Sequence, residues 1–250
     1  MPSHVVIENL RVSTLPLEET ASLICRAAGS AAAQTVFTLN LDHVVKIRRD
    51  PEFCAAYRRA GLITADGFPV VLAGNLQGRR LSRVAGSDLI GPICAEAARA
   101  GKSIFLFGSS PEVLAASSRI LQERNPGLRI AGTLSPPLGF EPTSDVAGEA
   151  IARIGQSGAD LCFVALGAPK QELFSDHAKT LLPKVSLVCI GAGLDFIAGT
   201  QKRAPVLMQR YGLEWLWRAA SDPQRLLYRY VLCMAAMPGF LARAALSPRH

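Results

Sequence analysis

The sequence lacks the short motifs by which metal sites and disulfide frameworks are usually recognised. Its six cysteines are far apart, form no Cys-x-x-Cys pair and mostly lie within apolar runs, as small buried hydrophobic residues do. The four histidines are scattered, and there is neither a His-Glu-x-x-His motif nor an EF-hand loop. We therefore expect neither a disulfide bond nor a zinc site, and residue spacing assigns no metal site.

The common nucleotide fingerprints are also missing. The strand predicted over 103–107 is followed by Gly108-Ser109-Ser110, a tight loop without Gly-x-Gly-x-x-Gly spacing, and no Walker lysine follows it. This argues against one alternative, a nucleotide-dependent oxidoreductase, but leaves nucleotide binding at this loop open. Another alternative is a non-catalytic module bound to nucleic acid or to an anionic membrane. Because aromatic residues are only 6% of the chain, we expect no nucleic acid partner.

No targeting or membrane-spanning segment is predicted. Residues 1–12 have neither a cationic stretch nor a long apolar stretch, so we expect no signal peptide and a chain that remains in the cytosol. A run without charge, 231–242, has twelve residues, whereas a bilayer span needs about 20. Because Arg225 and Arg229 precede this run and Arg243 follows it, we expect it to lie in the membrane interface. Packing on the core or on a second subunit are the alternatives, so a homo-oligomer stays open.

The net charge of +7 is concentrated near the C-terminus. After residue 200 the chain has eight basic and two acidic residues, a balance of +6, which leaves +1 for the first 200 residues. A basic segment attached to a near-neutral body indicates a local anionic partner, such as a phosphate, a diphosphate, an acidic membrane surface or nucleic acid. Ordinary solvated surface charge is the alternative explanation.

Short apolar segments alternate with helical segments over residues 1–200, which predicts an α/β layered fold with a mainly parallel sheet. Beyond Pro205 the pattern changes to helix, over 206–220 and again over 224–245 with an interruption at Pro238. The stretch 134–142, rich in proline, is predicted to be an irregular loop. The predicted strands are 4–7, 36–39, 62–65, 103–107, 128–131, 161–166 and 185–190.

Polar residues follow three of the predicted strands, where α/β proteins form ligand crevices. Thr38 and Asn40 alternate with an apolar residue and so face one side of the strand end, although both types also cap helices. Asp66 precedes a glycine directly after a strand, so it either forms a turn or offers a carboxylate to the crevice. Asp195 lies among three glycines, which permit a close ligand or simply shape the bend.

The segment 163–172, FVALGAPKQE, joins a buried strand to a polar turn that opens a helix. Its turn offers an amine, an amide and a carboxylate, and Gln171 is the residue that we expect to contact substrate. Lys170 and Glu172 are then supporting groups. The alternative is structural, with a first-turn proline, a glutamate that complements the helix dipole and a solvated lysine.

Taken together, these segments resemble the WecG/TagA/CpsF family of glycosyltransferases, glycosyltransferase family 26. The likeness covers nearly the whole chain and depends on the order and spacing of its segments. The matching residues are Thr38-Leu39-Asn40, Ala65-Asp66-Gly67, Arg83 with Gly86 and Asp88, Leu106-Phe107-Gly108, LGAPKQE at 166–172, GAGLDFIAG at 191–199, Arg203-Ala204-Pro205, GLEWLWR at 212–218, Pro223, Arg225, Arg229 and Tyr230.

The resemblance implies an inverting transfer of a hexose-type sugar from a UDP-sugar to a polyprenyl-diphosphate-linked sugar, in cell-wall or exopolysaccharide synthesis. It places the enzyme on the inner face of the cytoplasmic membrane. It also implies a Rossmann-like catalytic domain, 1–200, and a basic, amphipathic helical appendage, 201–250, that closes over the site and associates with the anionic membrane. The residue roles that it implies are a general base, Asp66; a substrate pocket, Thr38, Asn40, Arg83 and Gln171; and appendage arginines for the diphosphate, Arg218, Arg225 and Arg229.

This chemistry agrees with the residue types. An inverting displacement needs a base for the acceptor hydroxyl and cationic donors for the departing UDP, and arginine pairs bidentately with phosphate. No Asp-x-Asp motif is present for a divalent ion, so we expect a metal-independent enzyme without a cofactor, in which arginines replace the metal. Asp195 is a further candidate for accepting from the ribose or the base. The donor and acceptor sugars are not identified by the sequence.

Overall fold

The computed structural model describes residues 4–205, 207–208, 216–217 and 223–246, with side chains in the last range from residue 229 onward. Eight strands form one sheet in the order β1-β2-β4-β3-β8-β7-β5-β6. β1 and β2 pair antiparallel, and all other neighbours pair parallel, which confirms the predicted Rossmann-like α/β fold. The strands are β1 His4–Ile7, β2 Leu10–Ser13, β3 Thr35–Leu39, β4 Leu62–Ala65, β5 Ser103–Gly108, β6 Arg129–Leu134, β7 Leu161–Ala165 and β8 Ser186–Cys189.

Helices cover both faces of this sheet. Several begin where side chains bind the free amides of the first turn: Asn40 accepts from the backbone of α2 and Asp50 from that of α3. The helices are α1 Leu17–Ala27, α2 Leu41–Ile47, α3 Pro51–Arg59, α4 Phe68–Leu76, α5 Gly86–Arg99, α6 Pro111–Arg124, α7 Asp145–Gln156, α8 Lys170–Leu181, α9 Gly193–Ala198 and α10 Pro223–Leu246.

The central strands are buried on both faces, which explains their continuous apolar runs. Val36 belongs to a core cluster with residues of α1, α5 and α6, whereas the next residue, Phe37, belongs to a second cluster with residues of α2, α3 and α4. A third cluster joins β5, β7 and β8 to α7 and α8. The sheet is therefore the middle layer of three, and its carboxyl edge is open to the connections that follow each strand.

Some boundaries differ from the sequence predictions. β2 was not predicted, because this four-residue strand carries too little apolar pattern; it forms a hairpin with β1 through Glu8 and Asn9, both in the left-handed region. α5 begins at Gly86 after its N-cap residue Ala85, so Asp88 lies inside its first turn. β6 extends to Leu134, three residues beyond its predicted end.

The helix α10 runs without interruption through Pro238, so the predicted break there is wrong. Its inner side buries Cys233, Phe240 and Ala244 against the cluster that also contains α2 and α4. Most of the helix predicted over 206–220 lies outside the described residues. None of the helices in the described ranges has the length and apolarity that crossing a membrane would require.

Candidate active site

A cavity of about 610 Å³ opens where β3, β4, β7 and β8 end. Because parallel strands all present their carboxyl ends at one edge, the polar residues that follow them converge there. α10 forms a further wall of the same cavity through Tyr230, Cys233, Met234 and Met237. The predicted site residues found in its lining are Thr38, Asn40, Asp66, Arg83, Gln171, Asp195 and Arg229.

Two predicted site residues cannot be placed. Arg218 lies outside the described residues, and the side chain of Arg225 is likewise not described.

The two supporting residues of the segment 163–172, Lys170 and Glu172, are not among the residues that line the cavity. Lys170 donates to the carbonyl of Phe140 at 2.5 Å and to Glu141 Oε1 at 3.1 Å, so it ties the start of α8 to the loop after β6.

Asp66 combines the two roles that the sequence left open. Its backbone N–H donates to the carbonyl of Leu39 at 2.8 Å, and Gly67 has φ 84°, so the segment is a turn between β4 and α4. Its carboxylate also lines the cavity, with Oδ1 3.8 Å from Arg83 Nη1. The turn therefore holds the carboxylate at the cavity.

A chain of charged groups extends from Asp66 through Arg83. Arg83 Nη2 donates to Asp88 Oδ2 at 2.8 Å, and Arg203 Nη2 donates to the other oxygen of Asp88 at 2.5 Å. Asp88 thus bridges an arginine beside the cavity and an arginine that follows α9. These side chains are 28%, 16% and 28% exposed, so the pairing is only partly screened by solvent.

Asn40 and Thr38 belong to the end of β3. Asn40 Oδ1 accepts from the backbone N–H of His43 at 3.0 Å, so the side-chain carbonyl of Asn40 caps α2. Its NH₂ group takes no part in this cap. Thr38 is buried but still contributes to the cavity lining. Its carbonyl accepts from the hydroxyl of Tyr57 at 2.7 Å, which fixes the strand end against α3.

His43 is a cavity residue that sequence reasoning missed. It is 5% exposed, and its Nδ1 lies 2.6 Å from the carbonyl of Thr38 and 2.7 Å from the hydroxyl of Tyr57. Burial lowers the pKa of His43 to about 4, so the ring is neutral at pH 7. It lies three residues after Asn40, the N-cap residue of α2, and this spacing is the signal that could have found it.

Gln171 is positioned by two hydrogen bonds. Its Oε1 accepts from the backbone of Gly191 at 3.0 Å, and its Nε2 donates to Glu172 Oε1 at 2.7 Å. Gln171 is only 3% exposed, although it lines the cavity, and it joins α8 to the loop after β8. Glu172 is fully buried, and burial raises its pKa to about 8. Its second oxygen, Oε2, has no hydrogen-bond partner.

Two more acidic residues, Asp195 and Asp42, line the cavity. Asp195 lies in the first turn of α9, 3.5 Å from Ser109 Oγ and 3.4 Å from Thr200 Oγ1. Asp42, also in the lining, pairs with Lys46 on α2, and its Oδ1 is 3.7 Å from Nε of Arg229 on α10. A residue of the predicted appendage therefore reaches the cavity in this structure.

In the ranges that the structure describes, no three His, Cys, Asp or Glu side chains form a group that could hold a metal ion. What the site does offer is three carboxylates, two arginines, amides and hydroxyls around one cavity. Such a set can bind a polar, anionic ligand and accept a proton from it.

The fold and the cavity thus define an α/β protein with a polar crevice at the carboxyl edge of its sheet. The model of the glycosyl transferase WecG/TagA/CpsF family matches residues 5–250, and the chain belongs to this family. The protein is accordingly a glycosyltransferase, with a sugar donor and an acceptor as its substrates.

Proposed function

We propose that the protein is an inverting glycosyltransferase that moves a hexose-type sugar from a UDP-sugar to a polyprenyl-diphosphate-linked sugar. The product serves cell-wall or exopolysaccharide synthesis. The observation that carries the proposal is the single cavity that holds the carboxylate of Asp66 together with Arg83 and with Arg229 of α10. Its volume of about 610 Å³ falls within the range of small-molecule sites.

In this proposal Asp66 is the general base. Its carboxylate takes the proton of the acceptor hydroxyl as the oxygen attacks the anomeric carbon, and UDP leaves from the opposite face. Arg83, whose Nη1 is 3.8 Å from Asp66 Oδ1, is the cation beside this carboxylate. Thr38, Asn40, Gln171 and Asp195 are then the groups that bind the substrates.

The arginines stabilise the negative charge that develops on the departing diphosphate. Arg229 reaches the cavity from α10, and Arg218 and Arg225 have the same role in the proposal. Guanidinium groups can do this without a metal ion, because they stay charged and pair bidentately with phosphate oxygens. We therefore propose a metal-independent reaction. Restoration of activity by Mg²⁺ or Mn²⁺ after treatment with EDTA would contradict it.

We further propose that α10 docks the enzyme on the anionic inner face of the cytoplasmic membrane. Its outer side carries an apolar stripe in which Val231 and Met234 are 57% and 47% exposed and Leu246 is 86% exposed, and Met234 also lines the cavity. Pro238 and Ala242 continue the stripe at helical spacing. Apolar residues with basic neighbours are what interfacial binding needs, and this position would bring a lipid-linked acceptor to the cavity.

The test is a screen of UDP-sugars against polyprenyl-diphosphate-linked monosaccharides, with products detected by mass. Asp66→Asn should lower turnover by ~10² to 10⁴ while donor binding, measured by calorimetry, is retained, because a general base contributes about that factor. Asp145→Asn, an exposed carboxylate on α7, is the matched control and should behave as the wild type. Undiminished turnover in Asp66→Asn would exclude Asp66 as the base.

A further inference from the structure

The hydrogen bonds of His43 determine which of its ring nitrogens carries the proton. Nδ1 lies 2.6 Å from the carbonyl oxygen of Thr38, and a carbonyl oxygen can only accept. If Nδ1 carried no proton, two lone pairs would face each other at this distance. Nδ1 is therefore the donor, and the hydroxyl of Tyr57 donates to the same carbonyl at 2.7 Å.

The ring is also held in its neutral form. The charged groups that face it are Asp42 and Lys46 on α2 and Arg229 on α10, and the Tyr57 hydroxyl faces it from α3. Burial has the largest effect and lowers the pKa of His43, and the two cations add to this effect, whereas Asp42 opposes it. A neutral imidazole with its proton on Nδ1 has a lone pair on Nε2, which makes Nε2 an acceptor.

The Nε2 edge is the part of this ring that remains for a ligand, because Nδ1 is directed at the backbone of β3 while His43 itself lines the cavity. The hydroxyl of Thr38 and the NH₂ group of Asn40, both of which can donate, line the same cavity. An acceptor and donors that line one cavity suit a hydroxyl group, which both donates and accepts.

We propose that His43 is a specificity-determining residue that accepts a hydrogen bond at Nε2 from one hydroxyl group of a sugar bound in the cavity. This inference rests on the proposed glycosyl transfer. The rigid bonds of Nδ1 hold the acceptor in place before the sugar binds, so a sugar without this hydroxyl leaves a buried acceptor unpaired.

The test compares substrates that lack single hydroxyls, prepared for both the donor and the acceptor sugar. Wild type should lose ~10- to 100-fold in kcat/KM with one deoxy sugar, as expected for a buried polar group without a partner. His43→Phe should show a similar loss with the parent sugar but discriminate against that deoxy sugar no further. His43→Gln, which retains an acceptor oxygen, should recover part of the discrimination.

Tyr57→Phe is the matched control, since it removes a donor to the same carbonyl but lies outside the cavity lining. It should lower the melting temperature and keep the wild-type preference among sugars. If every deoxy sugar is affected equally in wild type and in His43→Phe, the inference is wrong. If wild type turns over no UDP-sugar at all, the proposed function fails instead.

A second measurement needs no turnover. In ¹⁵N-histidine-labelled protein, NMR should show His43 with its proton on Nδ1 and without titration between pH 5 and pH 8, in contrast to an exposed histidine. The parent sugar nucleotide or acceptor should shift the Nε2 resonance, and the corresponding deoxy sugar should not. A proton found on Nε2 in the free protein would overturn the proposal.

Discussion

Glu172→Gln is the substitution whose consequences can be worked out most fully. Glu172 lies in the first turn of α8 and is completely buried; its Oε1 accepts from Gln171 and its Oε2 has no hydrogen-bond partner. Burial has the largest effect on this carboxyl group and raises its pKa from 4.5 to about 8, although the hydrogen bond from Gln171 acts in the opposite direction. Glutamine has nearly the same shape and offers an oxygen to Gln171, but it cannot ionise.

The sign of the effect follows from proton binding. Between pH 4.5 and pH 8 the folded state keeps a proton that the unfolded state releases, so the free energy of unfolding falls as the pH rises. With 1.36 kcal/mol per pKa unit, this carboxyl group costs about 1 kcal/mol at pH 5 and about 3 kcal/mol at pH 7. Glu172→Gln removes this cost and should stabilise the protein more at pH 7 than at pH 5, by about 2 kcal/mol.

Urea unfolding at pH 5 and pH 7, followed by circular dichroism, measures the difference. Other titrating groups, including His43, affect wild type and variant alike and cancel in the comparison. Glu149→Gln, an exposed glutamate on α7, is the control and should give the same small change at both pH values. If Glu172→Gln also changed stability equally at both, Glu172 would have to be ionised in the folded protein, and the argument from burial would fail.

Four further substitutions test how Arg83 is held, how α5 packs and whether α10 docks on a membrane. Asp88→Asn weakens the hydrogen bond that holds Arg83 beside the cavity. Turnover should fall about 10-fold, because a hydrogen bond between charged groups contributes ~1.5 kcal/mol. Unchanged turnover would contradict a role of Asp88 in holding Arg83. Gly86→Ala places a methyl group 2.4 Å from a carbonyl of β8 and should lower stability by ~1 to 3 kcal/mol in urea unfolding. Gly91→Ala in the same helix meets nothing within 4 Å and should stabilise it by ~0.5 to 1 kcal/mol; equal effects of the two would refute the packing argument. Met234→Asp should reduce co-sedimentation with anionic vesicles several-fold at unchanged melting temperature, whereas retained binding would exclude α10 as the docking surface.

The position of the cavity could be predicted because the end of a buried strand can be recognised in the local sequence. Apolar runs that stop at Asn40, Asp66 and Gly191 mark three strand ends, and parallel pairing brings strand ends to one edge. The family resemblance then selected residues that the fold does place together. Their catalytic and binding roles stay predictions, since position in a lining does not establish them.

What could not be predicted depends on contacts between residues distant in sequence. The capping bond of Asn40 is local, but the Arg203 to Asp88 bond spans 115 residues and leaves no pattern in the sequence. Lys170 was expected to support the crevice, yet its long side chain reaches the loop after β6 instead. His43 looked like one of several scattered histidines, because neither burial nor a neutral ring can be read from its neighbours in sequence.

The charge concentrated after residue 200 has a second use that the sequence did not suggest. Three of these cations lie against carboxylates of the α/β body: Arg203 with Asp88 at 2.5 Å, Arg229 with Asp42 at 3.7 Å and Arg243 with Glu8 at 3.6 Å. They attach the C-terminal segment to the body along its length, from the end of α9 to the last turns of α10. Each partly exposed pair contributes little, about 1 kcal/mol or less. A diphosphate that binds at Arg229 competes with the carboxylate of Asp42. Because salt screens both kinds of charge pairing, raised salt should weaken the attachment of the C-terminal segment and the binding of the diphosphate together.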